Sequence, residues 1–171
     1  METTIKLTKL APIYLDQVVD IFCRVHGGDF DDTKERFERH ATYGGYQGLV
    51  AVDENDKVHG FVYGYTSLPG QFYNGKLRAK LTDGQIKEWL TDCFEFVELA
   101  VDPDHHRKGI GKQLHDAILE SVPHQTSVLT TGVNMEAAKC LYLNNGWEII
   151  QKNVDVLGVG NQQLIMGKKL K

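Results

Sequence analysis

Arg107, Lys108 and Lys112 surround two glycines, Gly109 and Gly111, in the stretch DPDHHRKGIGKQL from Asp102 to Leu114. The apolar residues that follow (Ile110, Leu114, Ala117, Ile118, Val122) have helical spacing. This combination suits an anion. A helix start exposes backbone N–H groups and the positive end of the helix dipole, and glycines let a ligand approach the backbone closely. Cations at that end oppose the dipole, a cost to the isolated helix that a bound anion offsets. The alternative is a tight strand-to-helix turn with solvated basic side chains. A Walker loop is excluded, because His106 stands where its first glycine belongs and Gln113 where Ser or Thr belongs. A dinucleotide fingerprint fails as well, with Leu114 in place of its third glycine.

The elements that must hold this loop can be read along the chain. An imperfectly alternating strand is expected at 4–10, and a helix from Pro12 to about residue 24, ended by Gly27 and Gly28. A polar helix follows from Asp31 to about Thr42, capped by Asp31 or Asp32, with Phe37 as its main apolar contact. A hairpin spans 48–66 around Glu54-Asn55-Asp56. Residues 67–92 form a long connection with a helical piece near Gln85–Leu90. The strand FEFVELAVD then enters the glycine loop, and the helix after it runs from about Gly109 to Ser121. A strand at 127–131, a helix from Met135 to Asn144 closed by Gly146, and strands from Trp147 and near 162–167 complete the order. The expected fold is α/β of mixed α+β type, with a central, mostly antiparallel sheet of six or seven strands flanked by about four helices.

Composition narrows the partners. The 171 residues fit one domain, and a net charge of -4 gives no reason to expect a nucleic-acid or membrane-surface partner, so any anion site is local. Cys23, Cys93 and Cys140 are odd in number and far apart, and read as reduced core or near-core thiols of a cytoplasmic protein. No stretch approaches the roughly 18 apolar residues of a spanning helix. His105 and His106 lack a third ligand at metal spacing and are placed on the solvent side of the loop, so no metal is expected.

The segment FEFVELAVDPDHHRKGIGKQL (94–114) resembles the acyl-CoA-binding motif of the GNAT N-acetyltransferase superfamily, in which a strand ending Leu-Ala-Val leads to Gln/Arg-x-x-Gly-x-Gly/Ala. Leu99, Ala100 and Val101 match the strand, and His106, Arg107, Lys108, Gly109, Ile110 and Gly111 the loop, with His106 in place of Gln or Arg. The stretch TTGVNMEAAKCLYLNNGWEII from Thr130 is similar to the family's Asn-x-x-Ala-x-x-x-Tyr-x-x-x-Gly-Phe region, through Asn134, Ala137 or Ala138, Tyr142, Gly146 and Trp147. The resemblance implies a single GNAT-like domain over 1–171 that takes acetyl-CoA as co-substrate and an amine as acceptor. Backbone groups of Leu99 and Val101 would pair with the pantetheine arm, loop amides from Arg107 to Lys112 would hold the pyrophosphate, and Asn134 and Ala138 would lie along the cofactor. A homodimer through the late strands also fits the family.

Direct transfer needs an acceptor for the amine proton and a donor for the leaving thiolate. Glu95 and Glu98, three apart, face opposite sides of a regular strand. Glu95 falls where several family members keep a catalytic acid or a water-ordering residue, and it is taken first. Glu98 shares a face with Phe94, Phe96 and Ala100, where aromatic surroundings favour a raised pKa. Tyr142 stands where the family commonly places the thiolate's acid, although Ala138, Leu141 and Tyr142 also read as a packed helical stripe. Asp29, Asp31 and Asp32 would attract a cationic acceptor or simply cap a helix. Phe72 and Tyr73 would line a pocket or close the core. The competing function is a GNAT-fold CoA-binding sensor or interaction module without turnover. Retention of Glu95, Glu98 and Tyr142 favours catalysis.

Overall fold

Most of the apolar periodicities become strands and helices of the computed structural model, which describes residues 4–105 and 109–171. His106, Arg107 and Lys108, all assigned to the anion loop, lie outside the described residues. The strands are β1 (Lys6–Lys9), β2 (Gln47–Val52), β3 (Val58–Thr66), β4 (Cys93–Val101), β5 (Thr126–Gly132), β6 (Glu148–Val154) and β7 (Gln163–Lys169). The α-helices are α1 (Leu15–His26), α2 (Phe30–His40), α3 (Phe72–Lys80), α4 (Asp83–Trp89), α5 (Ile110–Ser121) and α6 (Glu136–Leu143). One seven-stranded sheet runs in the order β1-β2-β3-β4-β5-β7-β6. The β1/β2, β2/β3, β5/β7 and β6/β7 pairs are antiparallel, and β4/β5 is parallel over Cys93–Glu95 and Thr126–Val128. The mixed, mostly antiparallel sheet agrees with the patterning. Besides the four flanking helices, the long connection holds α4, expected as a helical piece near Gln85–Leu90, and α3, which was not expected.

The described chain divides into two compact units, one of residues up to Tyr65 with Val97–Val122, the other of Thr66–Phe96 with Pro123–Lys171. The core of the first joins Val18, Val19 and Ile21 of α1 and Phe37 of α2 to Val50, Val52, Phe61, Tyr63 and Ala100 on the strands. Each of the valine, isoleucine and phenylalanine side chains among them contributes about 1.5–3 kcal/mol by leaving water. Gly27, at φ +79, ends α1 as expected. The cap of α2 is Asp29, not Asp31 or Asp32: its carboxylate accepts the Asp32 N–H at 2.9 Å, which leaves the other two exposed in the first turn. In the hairpin turn the Asp53 carboxylate accepts the N–H groups of Asn55 and Lys57. A side chain at Gly60 would be tight, since a Cβ there would come within 3.1 Å of the Ala100 carbonyl and 3.2 Å of Ile110 and Leu114. Bare backbone at Gly60 suits the close approach of α5 to β3.

The second unit is built around Leu77, Leu81, Trp89, Leu90, Cys93, Val128, Val156 and Ile165. Thr82 and Gln85 close a reciprocal capping box on α4, which explains why that helix is legible near Gln85. The sequence pattern missed α3. Its buried face offers only Asn74 and Leu77, it carries Gly75 inside, and Phe72 at its start is 61% exposed. Phe72 therefore meets Tyr73 edge-on at 5.4 Å without closing the core.

Candidate active site

In the first unit the site is built on the second half of β4, the turn after it and the start of α5. Val97 and Ala100 both pack against the core cluster although they are an odd number of residues apart, so strict alternation of faces does not hold across this stretch. Between them, the Glu98 side chain keeps 18% of its surface exposed. Burial pushes its carboxyl up from 4.5 to about 7, against the opposing pull of Arg36. The Arg36 Nη2 lies 4.0 Å from Glu98 Oε1, and the guanidinium sits over the rings of Phe22 at 5.1 Å and Phe37 at 5.5 Å. Leu99 and Val101 are half-buried and Ala100 is buried.

Asp102 fixes the point at which the strand gives way to the loop. Arg24 grips its carboxylate with two donors, Nη1 to Oδ1 at 3.1 Å and Nη2 to Oδ2 at 2.9 Å. Its backbone N–H donates to the His59 carbonyl at 2.8 Å. The Arg24 hydrogen bonds hold the Asp102 carboxyl down at about 2. After the short turn Pro103–His105, the His105 ring stacks on His59 at 3.9 Å, and His59 Nε2 is 2.9 Å from Asp53 Oδ2. That placement corrects the solvent-side expectation for His105. The ring lies against a buried partner because the turn folds it back onto β3.

Gly109, at φ +73, is the N-cap of α5 and would place a Cβ in open space. Among the described residues, no side chain caps this helix and no acidic residue stands in its first turn, in contrast to Asp29 on α2 and Thr82 on α4. The first intrahelical bond is made by the Gln113 N–H to the Gly109 carbonyl, so the amides of Ile110, Gly111 and Lys112 precede it. Ile110 is buried and anchors the turn, and Gly111 is half-buried. Lys112 is 59% exposed and donates to Asp116 at 2.6 Å, so its charge is partly countered along its own helix. An uncapped helix start without an acidic residue in its first turn fits the phosphates of a CoA-type ligand.

The second unit holds the remaining candidates. Glu95 is buried, and Ser67 Oγ donates to its Oε1 at 3.2 Å. Asn74 Nδ2 donates to Ser67 Oγ at 2.9 Å, and Arg78 Nε to Asn74 Oδ1 at 2.7 Å. This chain of polar groups ties α3 to β4 through residues that the sequence did not mark. Its one signal, the i,i+4 spacing of Asn74 and Arg78, has meaning only once α3 is known. Tyr142 is buried edge-on to Phe96 at 5.8 Å and Trp147 at 5.6 Å. Asn134 is exposed after β5, and Ala138 is half-buried on α6.

The three cysteines are free. Cys93 is buried, and burial raises its thiol well above the ordinary range. Cys140 is exposed on α6 rather than in or near the core, because the face of that helix buries Tyr142 instead. Among the described residues, no group of three or more His, Cys, Asp or Glu side chains is placed to hold a metal ion.

The family described as "Acetyltransferase (GNAT) domain" matches residues 44–149, well over half of the chain. No curated protein sequence matches. Among solved structures, the chain is similar to the ribosomal-protein-S18-alanine N-acetyltransferase of Escherichia coli, at 17% identity over 98% of this chain and 95% of that one, with a TM-score of 0.74. It is similar to the Salmonella typhimurium protein yncA, solved with its cofactor acetyl-CoA, at 17% identity over 98% and 94% of the two chains and a TM-score of 0.69. It is also similar to an aminoglycoside 6'-N-acetyltransferase complexed with coenzyme A, at 16% identity over 97% of each chain and a TM-score of 0.68. These likenesses repeat the fold, and the family match covers both β4 with its glycine loop and the segment from Asn134 to Trp147. The chain belongs to the GNAT acetyltransferase family.

Proposed function

We propose that residues 1–171 work as a single domain that transfers an acetyl group from acetyl-CoA directly to an amine of a small molecule or peptide, in the cytoplasm. The observation that supports this reading is the α5 N-terminus, which among the described residues has no side-chain cap and no acidic residue in its first turn, at the end of the loop that follows the strand bearing Glu98. Amides of the first α5 turn would hold the pyrophosphate, and Leu99 and Val101 would offer backbone groups to the pantetheine arm. Glu98 is the better placed proton acceptor. It is partly open to solvent and half-ionised near neutral pH, whereas Glu95 is buried and already accepts from Ser67. In the step itself the amine nitrogen attacks the thioester carbon, the C–N bond forms as C–S breaks, Glu98 takes the amine proton, and the departing thiolate takes up a proton, the role that the family resemblance gives to Tyr142. Three free cysteines, with none paired, support the cytoplasmic location. Among the described residues, no helix is long and apolar enough to cross a membrane.

Calorimetric titration with acetyl-CoA, a dephosphorylated analogue and pantetheine alone tests the assignment. Micromolar affinity that falls at least about tenfold without the pyrophosphate is expected, since charge-assisted contacts to the loop contribute more than about 1.4 kcal/mol. Equal affinity for all three would remove the phosphate role from α5. Tight binding with no turnover across an amine panel would move the reading to the CoA-binding module.

A further inference from the structure

We infer that Arg36 is a positioning residue for the transfer: its guanidinium holds the Glu98 carboxylate and sets the pH at which that carboxylate becomes a base. The inference rests on the reading of Glu98 as acceptor of the amine proton. Arg36 Nε and Nη2 are buried and have no hydrogen-bond partner among the described residues. The guanidinium lies over the rings of Phe22 and Phe37, cation–π contacts that offer those two nitrogens no acceptor. Among the described residues, the carboxylate that reaches it is Glu98, with Oε1 4.0 Å from Nη2.

Charge-assisted N–H···O bonds settle at about 2.7–2.9 Å, so a shift of about 1 Å by an ionised Glu98 would satisfy Nη2. A neutral carboxyl offers much less and leaves the donor orphaned, which is costly when it is buried. The pair is therefore poised between two states. Proton uptake from the amine loosens the contact, and release of that proton to water restores it. Burial favours the protonated form of Glu98, and Arg36 supplies the opposing pull.

Arg36 is the charge that acts on Glu98, and several other charged groups of the first unit are engaged elsewhere. Arg24 is held by Asp102, His59 by Asp53, and both Lys112 and His115 by Asp116. His40 faces the Tyr63 hydroxyl at 2.7 Å. His26, at the end of α1, is lowered first by burial and then by Arg36, so it reports on the same guanidinium from another side.

The test uses carbon-13 NMR titration of the Glu98 carboxyl and proton titration of His26 in the full chain, which needs no acceptor. In Arg36→Met the Glu98 midpoint is expected to rise by about one pH unit, a tenfold change in the ionised ratio, and His26 is expected to rise with it. Arg36→Lys, which keeps the charge, should restore most of the Glu98 shift. Arg36→Gln serves as a second neutral variant if the Met variant does not fold. An unchanged Glu98 midpoint in a folded neutral variant overturns the inference. The reading of Glu98 as the base is judged separately, by turnover in Glu98→Gln: an unaltered rate there ends that reading whatever the titration gives.

Discussion

Glu98→Gln is expected to lower kcat by about 100- to 10,000-fold while leaving acetyl-CoA affinity within about twofold, because a positioned general base contributes on that scale and touches only the amine. In the wild type, kcat/KM should fall below about pH 7 as Glu98 takes up its proton. That limb should vanish in the variant. A near-normal rate with the limb intact would remove Glu98 from the mechanism and return Glu95 to first place.

The same substitution has a thermodynamic signature of opposite sign. The folded-state pKa of Glu98 is raised above its ordinary value, so between about pH 4.5 and 7 the folded chain binds more protons than the unfolded one. Stability from this group is therefore fully present at low pH and is lost as pH rises through that window, by up to about 3 kcal/mol. Glutamine cannot ionise. Glu98→Gln should melt higher than the wild type at pH 8 and nearly equally at pH 4, which thermal scans at the two values would read directly. Equal melting temperatures at both would mean that burial does not strain the carboxylate.

Gly167→Ala is expected to destabilise the protein by about 3 kcal/mol or more, at the upper end of what overpacking costs. Gly167 sits in β7, paired to Val128 on one side and Glu148 on the other. A Cβ there would meet Trp89 Cε3 and Cζ3 at 2.5 Å and Ile150 Cδ1 at 2.7 Å. The Trp89 ring is buried and has Lys169 over its face at 4.2 Å, so it has little freedom to withdraw. Chemical denaturation measures the loss, and Trp89→Leu in the same background should recover part of it, since the two sites share one contact. A change below about 0.5 kcal/mol would mean that the ring swings aside freely.

What could be read from the sequence had a local cause. The approach of β4, the glycine start of α5 and the end of α6 near Gly146 are written in neighbouring residues, through periodicity and backbone demands, and they stand where expected. Asp29 escaped as the α2 cap because three aspartates lie within four positions, and which one caps depends on where the backbone turns. Helix α3 escaped because its packing rests on a buried asparagine in place of an apolar stripe. Arg36 was illegible for another reason. Nothing within ERFERH separates it from the solvated cations around it, and its meaning comes from Glu98, far along the chain and on a different element. Glu95 and Glu98 were legible as a pair, but their surroundings are supplied by α3 and α2 respectively.

Trp89 and Trp147 both belong to the second unit, and the first contains no tryptophan. Its aromatic nest consists of phenylalanines and of tyrosines such as Tyr43, Tyr63 and Tyr65. Light absorbed by indole alone is therefore emitted from one half of the chain. Any acceptor or variant that disturbs Glu98, Arg36 or the start of α5 without reaching the other half would leave that emission unchanged, and its optical trace would have to be sought in the tyrosine bands.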